Sequence, residues 1–378
     1  PRYRAMKGYY TPRQGGWDTH GLPVELEVER ELGLSGKTQI EEYGIDKFNA
    51  RCRESVYSYL KEWEAITERI AFWVDLEHAY ITMDNTYVET VWWAIKQMWD
   101  RGLIYQGYKV TPHCPRCGTS LRSHEVALGY QDIDDISIYV RFRLSRRVQP
   151  TIARNVLEKL GWDFQKAEWK GEIPALLAWT TTPWTLTGNV ALAVAPDEDY
   201  VLVQTGSQQG VTERLILAKA LLAQALGLEN WQILTEFQGR DLVGVLYERL
   251  YEPKDEFVVG DKQLRTDNWV VSSDFVSVTD GTGIVHIAPA FGEEDYELGR
   301  EESLPIVKTV DLGGRLIPKY IEKRGISKQE ADPLILDDLK ARGLLYRSET
   351  IRHTYPFCWR CEAPLLYYAK QTWYIRTT

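Results

Sequence analysis

The organisation of this 378-residue chain changes at Ile136–Phe142, which reads I-S-I-Y-V-R-F. Apolar residues alternate with other residues there, as they do along a strand with one buried face. Further apolar runs predict buried strands at Ala175–Trp179, Val190–Val194, Tyr200–Gln204, Trp269–Ser272 and Gly283–Ile287. A helical stretch is predicted near Leu217–Leu226. The segment from residue 134 to residue 352 is therefore predicted to be a β-rich domain with interspersed helices.

The residues on either side of this segment have a different composition, rich in cysteine and aromatic residues. C-P-R-C-G at Cys114–Gly118 precedes it, and C-W-R-C at Cys358–Cys361 follows it. The simplest explanation is that one domain interrupts another and that the chain then returns to the first. We therefore expect residues 1–133 and 353–378 to form one domain and residues 134–352 to be inserted into it.

Four of the five cysteines form two C-x-x-C pairs: Cys114, Cys117, Cys358 and Cys361. Two such pairs supply four thiolates, which is a ligand set of structural zinc. An odd number of cysteines does not suit a secreted disulfide framework and favours a reducing compartment. The sequence thus predicts a zinc site, and the alternatives are two unrelated turns or a redox-active C-x-x-C pair.

The start of the chain predicts a strand, a loop and a helix. Arg4–Thr11 alternates partly, as a short strand does, and Gln14–Gly16 interrupts it. Pro23 suits the first turn of a helix that ends near Gly33. Helical periodicity then continues at Ile45–Val74 and Tyr87–Gly102.

The loop between the first predicted strand and helix contains G-W-D-T-H-G-L-P. It follows the carboxyl end of the strand, which is where open parallel α/β sheets bind ligands. The carboxylate of Asp18 can pair there with the ammonium group of a ligand. Alternatively, Asp18 or Thr19 caps the helix.

A threonine-rich string, W-T-T-T-P-W-T-L-T-G-N, occupies Trp179–Asn189. Hydroxyl groups both donate and accept hydrogen bonds, so a row of them can hold a water molecule and an ester carbonyl together. Pro183 forces the chain out of regular strand pairing. The alternative is that these β-branched residues only build a strand.

A second string, at Asp280–Tyr296, combines glycine turns with His286 and an acidic run that includes Asp295. The acidic residues follow Gly292, where a helix can begin, so interaction with the helix dipole also explains them. His286 can likewise be a core histidine with its hydrogen bonds satisfied.

Bulk composition excludes few functions. The chain is 44% hydrophobic and 26% charged, and no apolar run approaches the roughly 20 residues that span a bilayer. Its net charge of −9 argues weakly against nucleic-acid binding, although arginines cluster at Arg141, Arg143, Arg146 and Arg147. Such a cluster forms either a basic groove or a solvated face.

The chain starts without Met and ends abruptly, so we expect both ends to be internal to a longer chain.

Several of these blocks together resemble the isoleucyl-tRNA synthetases of class I. The resemblance is carried by G-W-D-T-H-G-L-P-V-E at Gly16–Glu25, V-W-W-A-I-K-Q-M-W-D at Val91–Asp100, S-H-E-V-A-L-G-Y at Ser123–Tyr130 and T-T-T-P-W-T at Thr180–Thr185. Leucyl enzymes have Phe where His20 stands, and valyl and leucyl enzymes have Arg where Thr182 stands. The resemblance covers the whole chain and implies an α/β fold, in which a partial Rossmann-type class I synthetase catalytic domain is interrupted by a β-rich inserted editing domain.

The resemblance also implies roles for the residues of the editing domain. Asp295 would bind the α-ammonium group of the wrongly attached amino acid, and Thr181 and Thr182 would position the ester and the attacking water. His286 would help to set which side chain fits.

Further substrate-binding residues follow from the same resemblance. Thr180, Trp184 and Asn189 would lie at the editing substrate, and Asp18 would hold the amino group of isoleucine in the synthetic site.

The implied activity is hydrolytic editing, the deacylation of mis-charged Val-tRNA(Ile), with isoleucine, valine and tRNA(Ile) as ligands. The full-length enzyme would join isoleucine to tRNA(Ile) with ATP and Mg²⁺. Its H-x-G-H and K-M-S-K-S motifs do not occur in this sequence, so we expect no aminoacylation by this stretch. We expect a cytoplasmic monomer without membrane contact. The alternative is a zinc-stabilised tRNA-binding module without independent catalysis.

Overall fold

The computed structural model describes residues 1–206, 212–228, 230–253, 257–259, 264, 267–317 and 328–377. Within them the α-helices are α1 (Arg2–Met6), α2 (Leu22–Leu32), α3 (Lys37–Tyr43), α4 (Ile45–Val56), α5 (Leu60–Arg69), α6 (Asn85–Asp100), α7 (Ser123–Ala127), α8 (Arg154–Leu160), α9 (Leu222–Leu226), α10 (Glu293–Glu301) and α11 (Lys328–Ala341).

The first strands of the described residues are β1 (Gln14–Trp17), β2 (Asp75–Ile81), β3 (Ile104–Cys114), β4 (Thr119–Ser120), β5 (Tyr130–Arg143), β6 (Trp162–Asp163), β7 (Glu168–Trp169), β8 (Ala175–Thr180), β9 (Ala191–Val194) and β10 (Asp199–Gly206). They are followed by β11 (Thr212–Ala218), β12 (Trp231–Gln238), β13 (Leu246–Tyr247), β14 (Val258–Val259), β15 (Asn268–Ser272), β16 (Ile284–Ile287), β17 (Ile306–Val307), β18 (Leu345–Pro356) and β19 (Leu366–Ile375).

The chain divides into two compact units. Unit 1 comprises Pro1–Gly107, Arg116–Gly118 and Gln371–Thr378, and unit 2 comprises Tyr108–Pro115 and Thr119–Lys370. The predicted domain limits at residues 134 and 352 fall within β5 and β18. Among the described residues, no helix is both long enough and apolar enough to cross a membrane.

In unit 1, β1 and β2 pair in parallel, and helices α2 to α5 connect them in the sequence. Parallel strands need a long crossover of this kind, because a tight turn can join only antiparallel strands. The predicted helix α2 is confirmed and ends at Gly33, which adopts a left-handed conformation. The predicted helix at 87–102 is confirmed as α6.

Two predictions for unit 1 are wrong. The stretch Arg4–Thr11 is not a strand: α1 covers Arg2–Met6, and the strand is Gln14–Trp17. The two glycines there allow close approach, since a Cβ on Gly16 would overlap the ring of Tyr80 on the neighbouring strand. Helical structure in 45–74 is split into α4 and α5 and ends at Arg69.

Unit 2 is built around two sheets. The larger has six strands in the order β12-β10-β11-β8-β5-β18, and the smaller has four in the order β13-β15-β9-β16. One apolar cluster contains side chains from both sheets, among them Leu176, Leu192, Ile216 and Val270. The core of unit 2 therefore lies between the two sheets.

The predicted strands of unit 2 are confirmed as β5, β8, β9, β10, β15 and β16. The helical prediction at 217–226 is correct only for its second half. Leu217 and Ala218 end strand β11, and α9 begins at Leu222 after a short 3-10 turn. The mixed α/β fold class is thus confirmed.

Candidate functional site

The threonine string forms the end of β8 and the turn that follows it. Strand β8 ends at Thr180, and a 3-10 turn covers Pro183–Gly188. The amide of Thr182 donates to Thr180 Oγ1 at 3.1 Å, and Thr182 Oγ1 lies 3.0 Å from Thr185 Oγ1. Thr180 is buried, whereas Thr181 and Thr182 are partly exposed. The side chains of Thr181 and Thr182 are thus accessible from the surface, and the turn that carries them is stabilised by the hydrogen bond to the buried Thr180.

A carboxylate from a distant helix holds the same turn. Trp184 N donates to Asp332 Oδ1 at 2.8 Å, and Asp332 is buried on α11. An acidic side chain that accepts from the first amides of a helical turn stabilises that turn.

His286, on β16, lies directly against the threonine turn. Its Nε2 is 2.9 Å from Thr185 Oγ1, and only 7% of the residue is exposed. Burial lowers the pKa of His286 to about 4, so the imidazole is neutral at physiological pH. Its Nδ1 is buried without a hydrogen-bond partner among the described residues. A neutral imidazole can shape a pocket and offer one donor or acceptor without carrying charge.

Asp295 lies in the first turn of α10, just beyond the end of β16. Its Oδ2 accepts a hydrogen bond from Ala288 N at 2.8 Å. A Cβ on Gly292 would lie 2.7 Å from the carboxyl carbon of Asp295, so only glycine leaves room for this side chain. Burial raises the pKa of Asp295 to about 6, although the hydrogen bond from Ala288 opposes that shift.

The threonine hydroxyl groups and the carboxylate of Asp295 are both connected by hydrogen bonds to residues 286–288. Thr182 contacts Thr185, Thr185 contacts His286, and Asp295 bonds to the backbone two residues beyond His286. Sequence reasoning missed Thr185 as a member of this series. Its spacing was a usable signal, because residues i and i+3 of a 3-10 helix lie on the same side.

Two other predicted site residues lie in the interior of unit 2. Trp184 is buried and packs edge-on against Phe291, with ring centroids 4.9 Å apart. Asn189 Oδ1 accepts from Tyr247 Oη at 2.8 Å and from Asn268 Nδ2 at 3.1 Å, and Asn189 Nδ2 donates to the Ala191 carbonyl at 2.8 Å. These contacts give Asn189 a structural role, and its substrate-binding role stays a prediction.

The loop that follows β1 in unit 1 is far more open. The side chain of Asp18 is 86% exposed and lies 3.8 Å from His20 Nδ1. Thr19 is buried and exchanges hydrogen bonds with Thr82 and Met83, which fixes the loop. Helix α2 begins after Gly21 without a side-chain cap, so the capping interpretation of Asp18 and Thr19 is wrong.

The two C-x-x-C turns come together. Sγ atoms of Cys114, Cys117, Cys358 and Cys361 lie within 4.8 Å of one another. The Cys114 and Cys361 sulfur atoms are 3.5 Å apart. A tetrahedral site with Zn–S bonds of about 2.3 Å places its sulfur atoms about 3.8 Å apart. Four thiolates at this spacing can hold a metal ion, and the alternative of two unrelated turns is wrong.

Comparison with known proteins connects these features to a family. The family described as tRNA synthetases class I (I, L, M and V) matches residues 1–378. The chain is 52% identical to an isoleucine–tRNA ligase of Dehalococcoides mccartyi and 51% identical to that of Thermus thermophilus. All of the chain is covered in both alignments, which span 37% and 33% of these relatives.

Solved structures match only in part. The P. knowlesi cytosolic leucyl-tRNA synthetase editing domain is 14% identical with a TM-score of 0.33, covering 47% of this chain and 66% of that one. A structure described as GlLeuRS-CP1 is 18% identical with a TM-score of 0.35, covering 44% of this chain and 59% of that one. Both matches are too partial to carry an argument. The family match over the full length is decisive, and this chain belongs to the class I tRNA synthetases (I, L, M and V).

Proposed function

We propose that this chain is part of an isoleucyl-tRNA synthetase and that unit 2 hydrolyses mis-charged Val-tRNA(Ile). The names of the relatives support isoleucine as the cognate amino acid. The hydrogen-bonded series Thr182–Thr185–His286, tied through Ala288 to Asp295, is the observation that carries the proposal. It combines hydroxyls for a water and an ester with an anion for an ammonium group.

The reaction needs no protein nucleophile. Water attacks the carbonyl carbon of the valyl ester, the bond to the ribose oxygen breaks, and that oxygen takes up a proton as valine leaves. Thr181 and Thr182 position the water and the ester. The ionised carboxylate of Asp295 binds the α-ammonium group, and neutral His286 borders the side-chain pocket with Thr180 nearby.

Selectivity at a second site is needed for a physical reason. Isoleucine and valine differ by one methylene, which is worth about 1–3 kcal/mol in a binding pocket, a general figure for which isoleucyl-tRNA synthetases are themselves the standard example. A hydrolytic pocket that admits valine and excludes isoleucine multiplies this discrimination.

The test compares two carboxylates of α10. The purified chain is given Val-tRNA(Ile) and Ile-tRNA(Ile), and valine should be released while isoleucine is spared. Asp295→Ala should slow valine release about a hundredfold, because it removes a buried charged partner worth about 3 kcal/mol. Glu293→Ala, which changes an exposed carboxylate on the same helix, should leave the rate unchanged. Binding of tRNA without hydrolysis would instead support the binding-module alternative.

We also propose that the four cysteines hold structural zinc. When bound, zinc would cross-link the turns at Cys114 and Cys358 and take no part in hydrolysis. Metal analysis should find about one zinc per chain, and Cys361→Ser should release it and lower the melting temperature. A metal-free wild-type chain with the same melting temperature would overturn this assignment.

The remaining parts of the proposal concern the whole protein. The chain spans about a third of the length of the curated relatives it matches. Joining isoleucine to tRNA(Ile) with ATP and Mg²⁺, with Asp18 at the amino group of isoleucine, is proposed for the complete enzyme, as a cytoplasmic monomer.

A further inference from the structure

A groove of about 870 Å³ lies on the six-stranded sheet of unit 2. It is on the face opposite the inter-sheet core, since Ala175 lines it and belongs to a separate apolar cluster with Tyr139 and Leu177. Its charged lining consists of Arg141, Arg143, Arg214, Arg347, Glu172 and Glu213.

One of these arginines is already neutralised. Arg141 donates to both carboxylate oxygens of Glu213, at 2.7 and 3.1 Å, and its guanidinium lies 4.8 Å from the ring centroid of Tyr346. Arg141 and Glu213 therefore stabilise the groove wall and add no net charge.

The other three arginines are poorly paired. Arg143 is exposed and forms no ion pair within the described part of the chain. Arg214 donates to the Lys170 carbonyl at 3.4 Å, a long hydrogen bond. Arg347 stacks over Tyr139 at 4.3 Å, its contact with Glu349 is 3.5 Å long, and its Nε lacks a hydrogen-bond partner among the described residues.

The groove is thus a local positive site in a chain whose net charge is −9. After the Arg141–Glu213 pair is discounted, the lining holds three guanidinium groups and one carboxylate, Glu172, and Arg347 has a second carboxylate, Glu349, at 3.5 Å. Guanidinium groups bind phosphate and carboxylate oxygens alike in a forked geometry, and they also stack on flat rings. A nucleic-acid strand offers both phosphate oxygens and flat rings, whereas an acidic peptide offers mainly carboxylates.

We propose that this groove binds the sugar-phosphate backbone of RNA, away from the esterified end. In the sheet, Arg143 pairs with Ala175 and Ile138 pairs with Thr180, so the groove and the threonine turn lie at opposite ends of β8. Ala175 and Thr180 are five residue steps apart along β8, which is about 17 Å. The groove would therefore bind phosphates of the RNA other than those next to the esterified ribose. The inference rests on the proposed function only in taking the RNA to be tRNA.

The test measures the salt dependence of tRNA(Ile) binding to the whole chain between 50 and 200 mM salt. Arg143→Glu combined with Arg214→Glu should weaken binding at least tenfold and reduce the slope of log affinity against log salt by about two, one for each lost phosphate contact. The kcat for valine release should not change. Arg146→Glu is the matched control, because Arg146 is exposed nearby and does not line the groove.

The outcomes separate the alternatives. An equal loss from Arg146→Glu, or no change in slope in the double variant, would overturn the proposal. Complete displacement of the RNA by poly-aspartate at equal charge concentration would assign the groove to an acidic polypeptide instead. If the wild-type chain binds tRNA through the groove but releases no valine, the proposed hydrolysis fails and the groove assignment stands.

Discussion

Helix α6 in unit 1 and strand β8 in unit 2 are both rich in apolar side chains, but the solvent exposure of these side chains differs greatly. No residue of α6 is buried, and Trp92 is 64% exposed. Leu176 and Leu177 of β8 are fully buried, one on each face of the sheet. Unit 2 therefore gains stability from its own interior, whereas α6 presents apolar area of the kind that marks an interaction surface.

The largest expected effect tests this contrast in the free energy of unfolding. Leu192→Ala removes a fully buried side chain from the inter-sheet core and should cost about 3 kcal/mol. Trp92→Ala should cost less than about 1 kcal/mol, although it removes more atoms, because its side chain is mostly solvated. Urea unfolding of both variants gives the two values. Equal losses of unfolding free energy would show that Trp92 is buried in solution, and the difference between α6 and the core of unit 2 would not hold.

A second prediction compares polar side chains. Asn189→Ala leaves the hydroxyl of Tyr247 without its buried acceptor and removes one of the two acceptors of Asn268 Nδ2, so it should cost about 2 kcal/mol. Thr90→Ala, on α6, removes an exposed hydrogen bond to the Thr86 carbonyl and should change stability by less than about 0.5 kcal/mol. Thermal melting checks both. If Asn189→Ala melted like the wild type, its role would lie in substrate binding alone.

The third prediction concerns pH and the enclosed carboxylate of Asp295. Its pKa is raised to about 6, and only the ionised form binds an ammonium group. The enzymatic kcat/KM for valine release should therefore be constant above that pKa and fall about tenfold by pH 5. His286, with a pKa of about 4, adds no second step between pH 5 and pH 8. A value of kcat/KM that stays constant down to pH 5 would show that the ionised carboxylate of Asp295 does not bind the ammonium group.

The smallest effect is expected at the surface of α6. Lys96 and Asp100 form an exposed i,i+4 ion pair. Lys96→Ala should change the free energy of unfolding by no more than about 0.5 kcal/mol, and less at high salt. Denaturant titration at two salt concentrations checks this value, and a loss above 1 kcal/mol would mean that α6 is less solvated than its exposure indicates.

The sequence predicted the strands of unit 2 well because each is an apolar or alternating run that one local pattern describes. It failed at β1, where Gly15 and Gly16 suggested a break although Gly16 lies against the ring of Tyr80 on the paired strand β2. The contact between Asp332 and Trp184 joins residues 148 positions apart. No local pattern reports such a contact, so the support that Asp332 gives the threonine turn could not be predicted.

The pairing of β5 with β18 has a consequence for how this architecture can be rebuilt. The two strands run antiparallel from Tyr130↔Pro356 to Val140↔Leu345, so the outgoing and returning chains are neighbours, about 5 Å apart, along their whole length. Ile136 lies opposite Thr350. Everything between these two residues can in principle be excised and the gap closed with a two-residue hairpin turn. The path of the polypeptide outside this segment would therefore stay the same if the segment were lengthened, shortened or replaced.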